Sequence, residues 1–311
     1  MDNTTQSSVE NKLVEAMLAE QKTSRRWKNA RFIVWMLLIF TVLFLIFGPD
    51  GSPENKVEHA PYVALIRLSG VIMPNTEFSA KEVIPELTRA FRDKEAKGVV
   101  LLINSPGGSP VQASMIHDKI IQLKKKYHKQ VIVVGEDTLA SGAYLVSTAA
   151  DKIFVNKDTV TGSIGVIMEG FGFTDVMKKI GITRRVFTAG TNKDRLDPYE
   201  ALNPKDQAKI QTILDAVHQD FINDVKEGRG DKLKGDPKEL FSGDFWTGTQ
   251  AVKLGLADGT ANVWEATQDT FGTTHYRDYS PRPDVFETIM RNVSSELHLK
   301  LSSNTKLQEM I

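Results

Sequence analysis

Two short segments carry the residue types that covalent chemistry at a serine requires. Residues 103–108 read Ile-Asn-Ser-Pro-Gly-Gly, and residues 139–144 read Leu-Ala-Ser-Gly-Ala-Tyr. Glycines after a proline let the backbone approach a ligand closely and aim N–H groups at it, as an oxyanion hole requires. A serine that opens a helix lies beside N–H groups that the helix dipole orients. Together the segments suggest Ser141 as a nucleophile that faces a backbone anion site. Taken separately, each is also typical of an ordinary tight turn or helix cap.

The serine hydroxyl needs a base, because an unassisted hydroxyl is a poor nucleophile at neutral pH. The chain has no cysteine, and its six histidines are scattered without a neighbour that suggests catalysis or metal binding. Lysine is then the natural base, although a lysine pKa must fall by about three from about 10.4, which disfavours its charge by roughly 4 kcal/mol. Burial in an apolar site can do this. Sequence distance leaves five lysines open: Lys152, Lys157, Lys178, Lys179 and Lys193.

The composition and the remaining motifs argue against several other classes of protein. Lys and Arg number 39 and Asp and Glu number 39, and a net charge of zero is a poor match to phosphate backbones. The lack of cysteine excludes Cys-based zinc sites, iron–sulfur clusters and thiol nucleophiles. The sequence also lacks the phosphate-loop, dinucleotide-binding, His-Glu-x-x-His and Gly-x-Ser-x-Gly patterns. We therefore expect no metal, no cofactor and no nucleic-acid partner.

Both chemical segments follow predicted strands. Apolar and β-branched runs predict strands over residues 61–73, 98–104, 130–137, 152–155 and 163–171. Helices are predicted over residues 80–96, 111–126, 140–150 and 204–228, and a last compact unit over 236–267. Unbroken apolar strands that alternate with helices are typical of an α/β domain with a largely parallel sheet. Ligands bind at the carboxyl ends of such strands, where both segments are expected.

An apolar run near the N-terminus predicts a membrane anchor. Residues 32–47 contain one polar residue, Thr41, and are near the lower limit for crossing about 30 Å of hydrocarbon as a helix. Basic residues precede the run and acidic residues follow it, which places the N-terminus in the cytoplasm. The exit from the run, Gly-Pro-Asp-Gly-Ser-Pro, lacks a small-x-small cleavage site. We therefore expect an uncleaved single-pass anchor.

Four motifs after the anchor resemble the short, single-copy form of the signal peptide peptidase A family, which consists of membrane-anchored serine/lysine proteases of peptidase family S49. The motifs are INSPGGSPVQAS (103–114), DTLASGAYLVSTAADKIFVN (137–156), TGSIGV (161–166) and AGTNKD (189–194). The similarity runs from about residue 62 to residue 265. It implies an α/β Clp-protease/crotonase-like spiral of strand–helix units, preceded by one transmembrane helix.

The resemblance also implies roles for particular residues. Ser141 matches the nucleophile and Lys193 the general base, while the backbone N–H groups of Gly108 and Gly142 match the oxyanion hole. Ser163 lies where a hydroxyl orients the lysine. The family fold implies ring-like homo-oligomers with shared active sites, in which the lysine reaches the serine of a neighbouring subunit. Ala143 replaces a glycine found in many members and adds only a methyl group.

The leading hypothesis is a serine endopeptidase that degrades apolar peptides such as cleaved signal peptides. It would act beside membrane lipid on the extracytoplasmic (periplasmic) side of a bacterial inner membrane. The expected domains are a cytoplasmic segment (1–31), a transmembrane anchor (32–48), a linker (49–60), a peptidase domain (61–270) and a C-terminal tail (271–311). Two other hypotheses remain open: an acyl-CoA hydrolase or isomerase, which uses the same paired backbone donors, and a non-catalytic membrane scaffold. The expected location outside the cytoplasm argues against acyl-CoA chemistry, since acyl-CoA is cytoplasmic. Labelling of Ser141 by a serine reagent would argue against a scaffold.

Overall fold

The computed structural model describes residues 27–44 and 60–281. The first 26 residues of the predicted cytoplasmic segment, the predicted linker up to residue 59 and the tail after residue 281 lie outside the described residues. The chain divides into two compact units, Met1–His59 and Ala60–Ile311.

The described part of the first unit is one helix, α1 (Trp27–Phe44), of 18 residues. By length and composition it is apolar enough to cross a membrane, and all of its side chains are exposed. The Thr41 hydroxyl donates a hydrogen bond to the Leu37 carbonyl at 2.7 Å, so the one polar side chain of the apolar run is satisfied within the helix. Helix α1 begins five residues before the predicted run, and residues 45–47 of that run lie outside the described residues.

The second unit is built on an eight-stranded sheet. The strands are β1 (Tyr62–Ser69), β2 (Ala96–Ser105), β3 (Val131–Ala140), β4 (Lys152–Val155), β5 (Val160–Gly162), β6 (Phe245–Thr247), β7 (Gly259–Thr260) and β8 (Tyr276–Asp278). The main path of the sheet has the order β6-β5-β3-β2-β1-β8, and β4 pairs with both β3 and β7. Only the β5–β6 pair is antiparallel among the pairs of the described strands. The predicted α/β class with a largely parallel sheet is therefore confirmed.

Helices cover both faces of the central strands. The helices are α2 (Ala80–Arg92), α3 (Pro110–Tyr127), α4 (Gly142–Thr148), α5 (Thr174–Lys179), α6 (Pro204–Arg229), α7 (Pro237–Leu240), α8 (Gly248–Lys253) and α9 (Val263–Phe271). Ala64, Ile66 and Leu68 of β1 point into a large core with α2, α3 and α4, whereas Val63 and Leu65 point into a smaller core with α9. Both faces of these strands are thus buried, which explains their unbroken apolar sequences.

Helix α6 has the ends that its sequence predicts. The Asn203 side chain caps the first turn by accepting a hydrogen bond from the Lys205 N–H at 2.9 Å, and Gly230 ends the helix with a φ of 51°. Only its C-terminal half packs firmly, since Phe221 and Val225 are buried.

The predicted strand over residues 163–171 is wrong. Strand β5 ends at Gly162, and residues 163–173 form no regular secondary structure. Ser163 has a φ of 50°, which turns the chain away from the sheet directly after β5. The apolar run 164–168 has no neighbouring strand among the described residues, so its β-branched composition does not lead to pairing.

The chain after residue 270 contributes β8, which pairs in parallel with β1. The Asp93 carboxylate anchors this region by accepting hydrogen bonds from the Tyr62 hydroxyl at 2.8 Å and the Tyr279 hydroxyl at 2.7 Å. Burial acts to raise the pKa of Asp93, but these hydrogen bonds and nearby Arg277 hold it below its usual value. Residues up to at least Tyr279 are therefore packed on the sheet.

Candidate active site

Ser141 lies between the end of β3 and the start of α4. Its backbone has a φ of 53° and a ψ of −125°, an uncommon conformation for a residue with a side chain. Its N–H donates a hydrogen bond to the Gly162 carbonyl at 2.8 Å, and its carbonyl accepts the first bond of the helix from Leu145. Its side chain makes no capping hydrogen bond. The hydroxyl of Ser141 is thus not used as a helix cap.

The loop after β2 lies directly against Ser141. Gly107 has a φ of 95°, and a Cβ atom placed on it would lie 2.6 Å from the Gly142 nitrogen and 2.8 Å from the Ser141 Cβ. Only glycine allows this approach. The structure therefore brings together the two segments that the sequence suggested.

Ile72 fixes the conformation of this glycine loop. Its N–H donates to the Gly107 carbonyl at 2.8 Å, and its carbonyl accepts from the Ser109 N–H at 2.7 Å. A Cβ atom on Gly108 would lie 2.2 Å from the Ile72 carbonyl oxygen. Ile72 belongs to no motif and follows the turn at Gly70, so the sequence does not indicate its role.

The backbone N–H groups of Gly108 and Gly142 are close together and available. The Gly108 nitrogen lies 3.4 Å from the position that a Cβ atom on Gly142 would occupy. Neither N–H donates a hydrogen bond to any residue within 27–44 or 60–281. Two free donors beside a serine can bind an oxygen that carries negative charge.

Helix α4 is held rigidly below these donors, since all of its seven residues are buried. The Tyr144 hydroxyl donates to the Leu256 carbonyl at 2.8 Å. Complete burial raises the pKa of Tyr144, so its hydroxyl remains a neutral donor. This bond ties the helix that follows Ser141 to the C-terminal part of the domain.

The segment 161–166 borders the site on the β5 side. Gly162 has a φ of 98°, and a Cβ atom on it would lie 2.5 Å from the Trp246 ring of β6. The Ser163 N–H donates to the Asp244 carbonyl at 2.7 Å. The Thr-Gly-Ser-Ile-Gly motif indicates Gly162 and Ser163. It does not indicate Asp244 and Trp246, which are about eighty residues away in the chain.

Lys193 lies in a turn after Gly190, with its N–H donating to the Gly190 carbonyl at 3.2 Å. Its side chain is exposed, and no hydrogen bond or ion pair joins it to Ser141 or Ser163 in the described part of this single chain. Large apolar side chains in the same stretch are also exposed, including Ile167 at 81% and Phe187 at 93%. One chain by itself thus supplies the serine and the backbone donors but leaves this lysine in solvent.

The fold and the site together define an α/β protein with a serine at a strand–helix junction beside a two-glycine loop. The family model "Peptidase family S49" matches residues 123–271, a range that includes Ser141 and Lys193. The "Putative signal peptide peptidase SppA" of Enterococcus faecium is 32% identical over 265 residues, which cover 75% of this chain and 76% of that protein. The chain therefore belongs to peptidase family S49.

Two further similarities involve longer proteins. "Protease 4" of Haemophilus influenzae is 31% identical over 225 residues, which cover 70% of this chain and 35% of that protein. The "Na(+)/H(+) antiporter NhaA" of Brucella melitensis is 41% identical over 215 residues, which cover 68% of this chain. The matched region spans only 29% of the antiporter's length.

Proposed function

We propose that the chain is a serine endopeptidase in which the Oγ atom of Ser141 is the nucleophile. The observation that carries this proposal is the contact between the Ser141–Gly142 junction and the Gly107–Gly108 loop, which leaves two N–H groups free beside a serine in a strained backbone conformation. Backbone donors fixed in this way stabilise the oxyanion of acyl transfer without reorganising during the reaction. Membership of a peptidase family supports the same reaction.

In the proposed mechanism, Ser141 Oγ attacks the carbonyl carbon of a peptide bond while the amine of Lys193 accepts its proton. The carbonyl oxygen becomes an oxyanion that accepts hydrogen bonds from the N–H groups of Gly108 and Gly142. The C–N bond then breaks, and the lysine returns the proton to the leaving amine. Water attacks the acyl-enzyme by the same route and releases the second product. The Ser163 hydroxyl orients the lysine amine in this scheme.

We further propose that the site is completed in a homo-oligomer with shared active sites. A lysine is a base only as the neutral amine, and it becomes one when it is shielded from water. Lys193 is exposed in the single chain, and so are apolar residues of the segment 163–202 such as Ile167 and Phe187; this shared exposure supports burial of the segment by a second copy. A peptidase domain over residues 61–270 with the family's Clp-protease/crotonase-like spiral is part of this proposal.

We propose apolar peptides such as cleaved signal peptides as substrates. A peptide lying beside the backbone of residues 107–108 and 163–168 would add an extended strand at the site. Helix α1 would anchor the chain, and the excess of basic residues before it supports a cytoplasmic N-terminus. The peptidase domain would then act on the periplasmic side of a bacterial inner membrane, beside lipid that holds apolar peptides.

Peptide hydrolysis by the full chain in detergent tests the proposal. We expect cleavage of an apolar fluorogenic peptide, and a fall in kcat of at least about 10³-fold in Ser141→Ala. Ser114→Ala is a matched control, because within residues 27–44 and 60–281 the Ser114 hydroxyl bonds only to the Val111 carbonyl of its own helix. Full activity in Ser141→Ala would contradict the proposal.

A further inference from the structure

A cavity of about 420 Å³ opens on the face of the sheet that α9 covers. Its floor is formed by side chains of three adjacent strands, Leu65 of β1, Leu102 of β2 and Val134 of β3. At the other end of the strands, Phe271 of α9 packs against Gly98 near the start of β2. Helix α9 has nine residues and starts beside the cavity, so Arg67 of β1 and Glu136 of β3 are exposed on this face, whereas Leu65, Leu102 and Val134 are buried at the base of the cavity. Helix α4, which follows Ser141, packs in the core on the opposite face.

Carboxylates border this cavity because of an irregularity in β3. While β2 advances two residues from Ile103 to Ser105, its partner advances four, from Gly135 to Leu139. Such a bulge redirects side chains, and here Glu136 and Asp137 are turned outward to the solvent.

The cavity lining carries an excess of negative charge. Asp158, which is paired with Lys157 at 3.9 Å, completes the acidic rim with Glu136 and Asp137, and the Asp137 carboxylate accepts a hydrogen bond from the Asn104 amide at 2.8 Å. Of the residues that line the cavity, Arg67 is the one basic side chain, and it is paired with Asp278 at 3.4 Å. In the described residues, the Glu136 carboxylate has neither a hydrogen-bond nor an ion-pair partner. The rim therefore attracts a cation more strongly than an anion.

An aromatic wall faces the acidic rim. Trp264, at the start of α9, is 61% exposed and lines the cavity together with Tyr276. The Arg67 guanidinium lies 5.6 Å from the centre of the Tyr276 ring, whereas no cation of the described residues lies over the indole of Trp264. An indole face binds both apolar groups and cations. A ligand that fits the apolar floor, the aromatic side chains and the acidic rim of this cavity has an apolar group next to a positive charge.

We infer that this cavity binds a peptide segment in which an apolar side chain lies next to a lysine or arginine. The apolar side chain packs against the exposed Trp264 and lies over the buried Leu65, Leu102 and Val134, and the basic group lies between Glu136 and Asp158. A lysine or arginine stem also packs on the apolar wall while its charged end reaches the carboxylates.

This inference rests on the proposed function where it identifies the source of the peptide. A signal peptide has a basic region followed by an apolar region of about 7–15 residues. Asp137 and Ser141 are four residues apart in the chain, so their Cα atoms are at most about 14 Å apart. Seven extended residues span about 23 Å. One peptide can therefore place its basic end in the cavity and its apolar region at Ser141.

Binding to the full chain in detergent micelles tests the cavity independently of cleavage. The probe is a fluorescein-labelled decapeptide with two lysines followed by leucines and a phenylalanine, added to Ser141→Ala so that the peptide is not cut. We expect Glu136→Gln with Asp158→Asn to raise its Kd about three- to tenfold, and Trp264→Ala to raise it about tenfold. The matched control is Asp231→Asn with Asp269→Asn, which removes the same charge from exposed positions that do not line the cavity; its Kd is unchanged.

A second peptide with glutamine in place of both lysines identifies the role of charge. The glutamine peptide should bind more weakly than the lysine peptide, and its Kd should not change when Glu136 and Asp158 are replaced. Equal affinity of the two peptides, or an unchanged Kd in both cavity variants, would overturn the inference. In the active protein, the Glu136 and Asp158 change should raise KM for the lysine peptide without changing kcat. If no peptide is cleaved, the proposed function fails while the binding measurement still tests the cavity.

Discussion

The backbone N–H of Ser141 donates a hydrogen bond of 2.8 Å to the carbonyl of Gly162. The preceding residue, Ala140, pairs with Gly162 in the parallel ladder of β3 and β5. The bond therefore continues the ladder one residue beyond the end of β3, into the strained backbone of Ser141. It also links Ser141 to Ser163, which follows Gly162 in the chain. The conformation of the proposed nucleophile thus depends on β5.

Gly162→Ala tests this dependence. A Cβ atom at Gly162 would meet the Trp246 ring at 2.5 Å, and its φ of 98° is unfavourable for alanine. We expect a loss of about 1–3 kcal/mol of unfolding free energy, together with slower acylation of Ser141. Denaturant unfolding and labelling by a serine reagent measure the two effects. The control is Gly172→Ala, where an added Cβ has no atom within 4 Å and φ is not positive; identical behaviour of the two variants would refute the role of Gly162.

Gly107→Ala tests the proposed oxyanion site. The new methyl group would stand 2.6 Å from the Gly142 nitrogen and displace its N–H. We expect kcat to fall about 10²–10³-fold with little change in KM, because the lost interaction forms in the transition state. Gly70→Ala is the matched control: its φ of 87° gives similar backbone strain, but the added Cβ meets no atom within 4 Å. An equal loss of kcat in both variants would show that backbone strain alone lowers kcat, and would contradict a specific role of Gly107 at the oxyanion site.

The Asp258 carboxylate predicts a pH-dependent stability. Burial raises the pKa of Asp258, but hydrogen bonds from Arg229 at 2.7 Å and from Lys232 outweigh it and hold the pKa below 3.8. A lowered pKa stabilises the folded state above pH 3.8, and this stabilisation is lost as the pH falls further. Because Arg229 is buried, Asp258→Asn should cost about 3 kcal/mol at pH 7.

Urea unfolding at pH 7 and at pH 3 measures this difference. The difference in unfolding free energy between wild type and Asp258→Asn should narrow at the lower pH, since below pH 3.8 the Asp258 carboxyl of the unfolded wild-type chain takes up a proton more readily than that of the folded chain. Asp231→Asn, at an exposed position, controls for the change in net charge. An equal difference in unfolding free energy between wild type and Asp258→Asn at both pH values would contradict this role of Asp258.

The central part of the fold could be predicted from the sequence because strands that are buried on both faces have unbroken apolar sequences. Strand β4 has the predicted bounds, and β2 and β3 differ from theirs by three residues at most. The ends of α6 were predicted for a local reason, since Asn203 and Gly230 act through their own backbone and side chains.

The remaining features depend on partners that are distant in sequence. The apolar run 164–168 has the composition of a strand, but composition does not reveal whether a neighbour is present. Strand β8 has three residues, too few to show a pattern, and Ile72 acts through backbone groups that any residue type carries. The residue types alone also left five lysines open as the base, and only the family resemblance selected Lys193.

The rate at which a phosphonate modifies Ser141, measured against pH in wild type and in Lys193→Met, tests the central claim most directly. The full assembled chain is treated with a serine-reactive phosphonate, and mass spectrometry locates and counts the modified residue. We expect modification at Ser141, a rate that rises with pH, and a fall of about 10²–10⁴-fold in Lys193→Met. An unchanged rate in an assembled Lys193→Met protein, or modification at a different serine, would contradict the account.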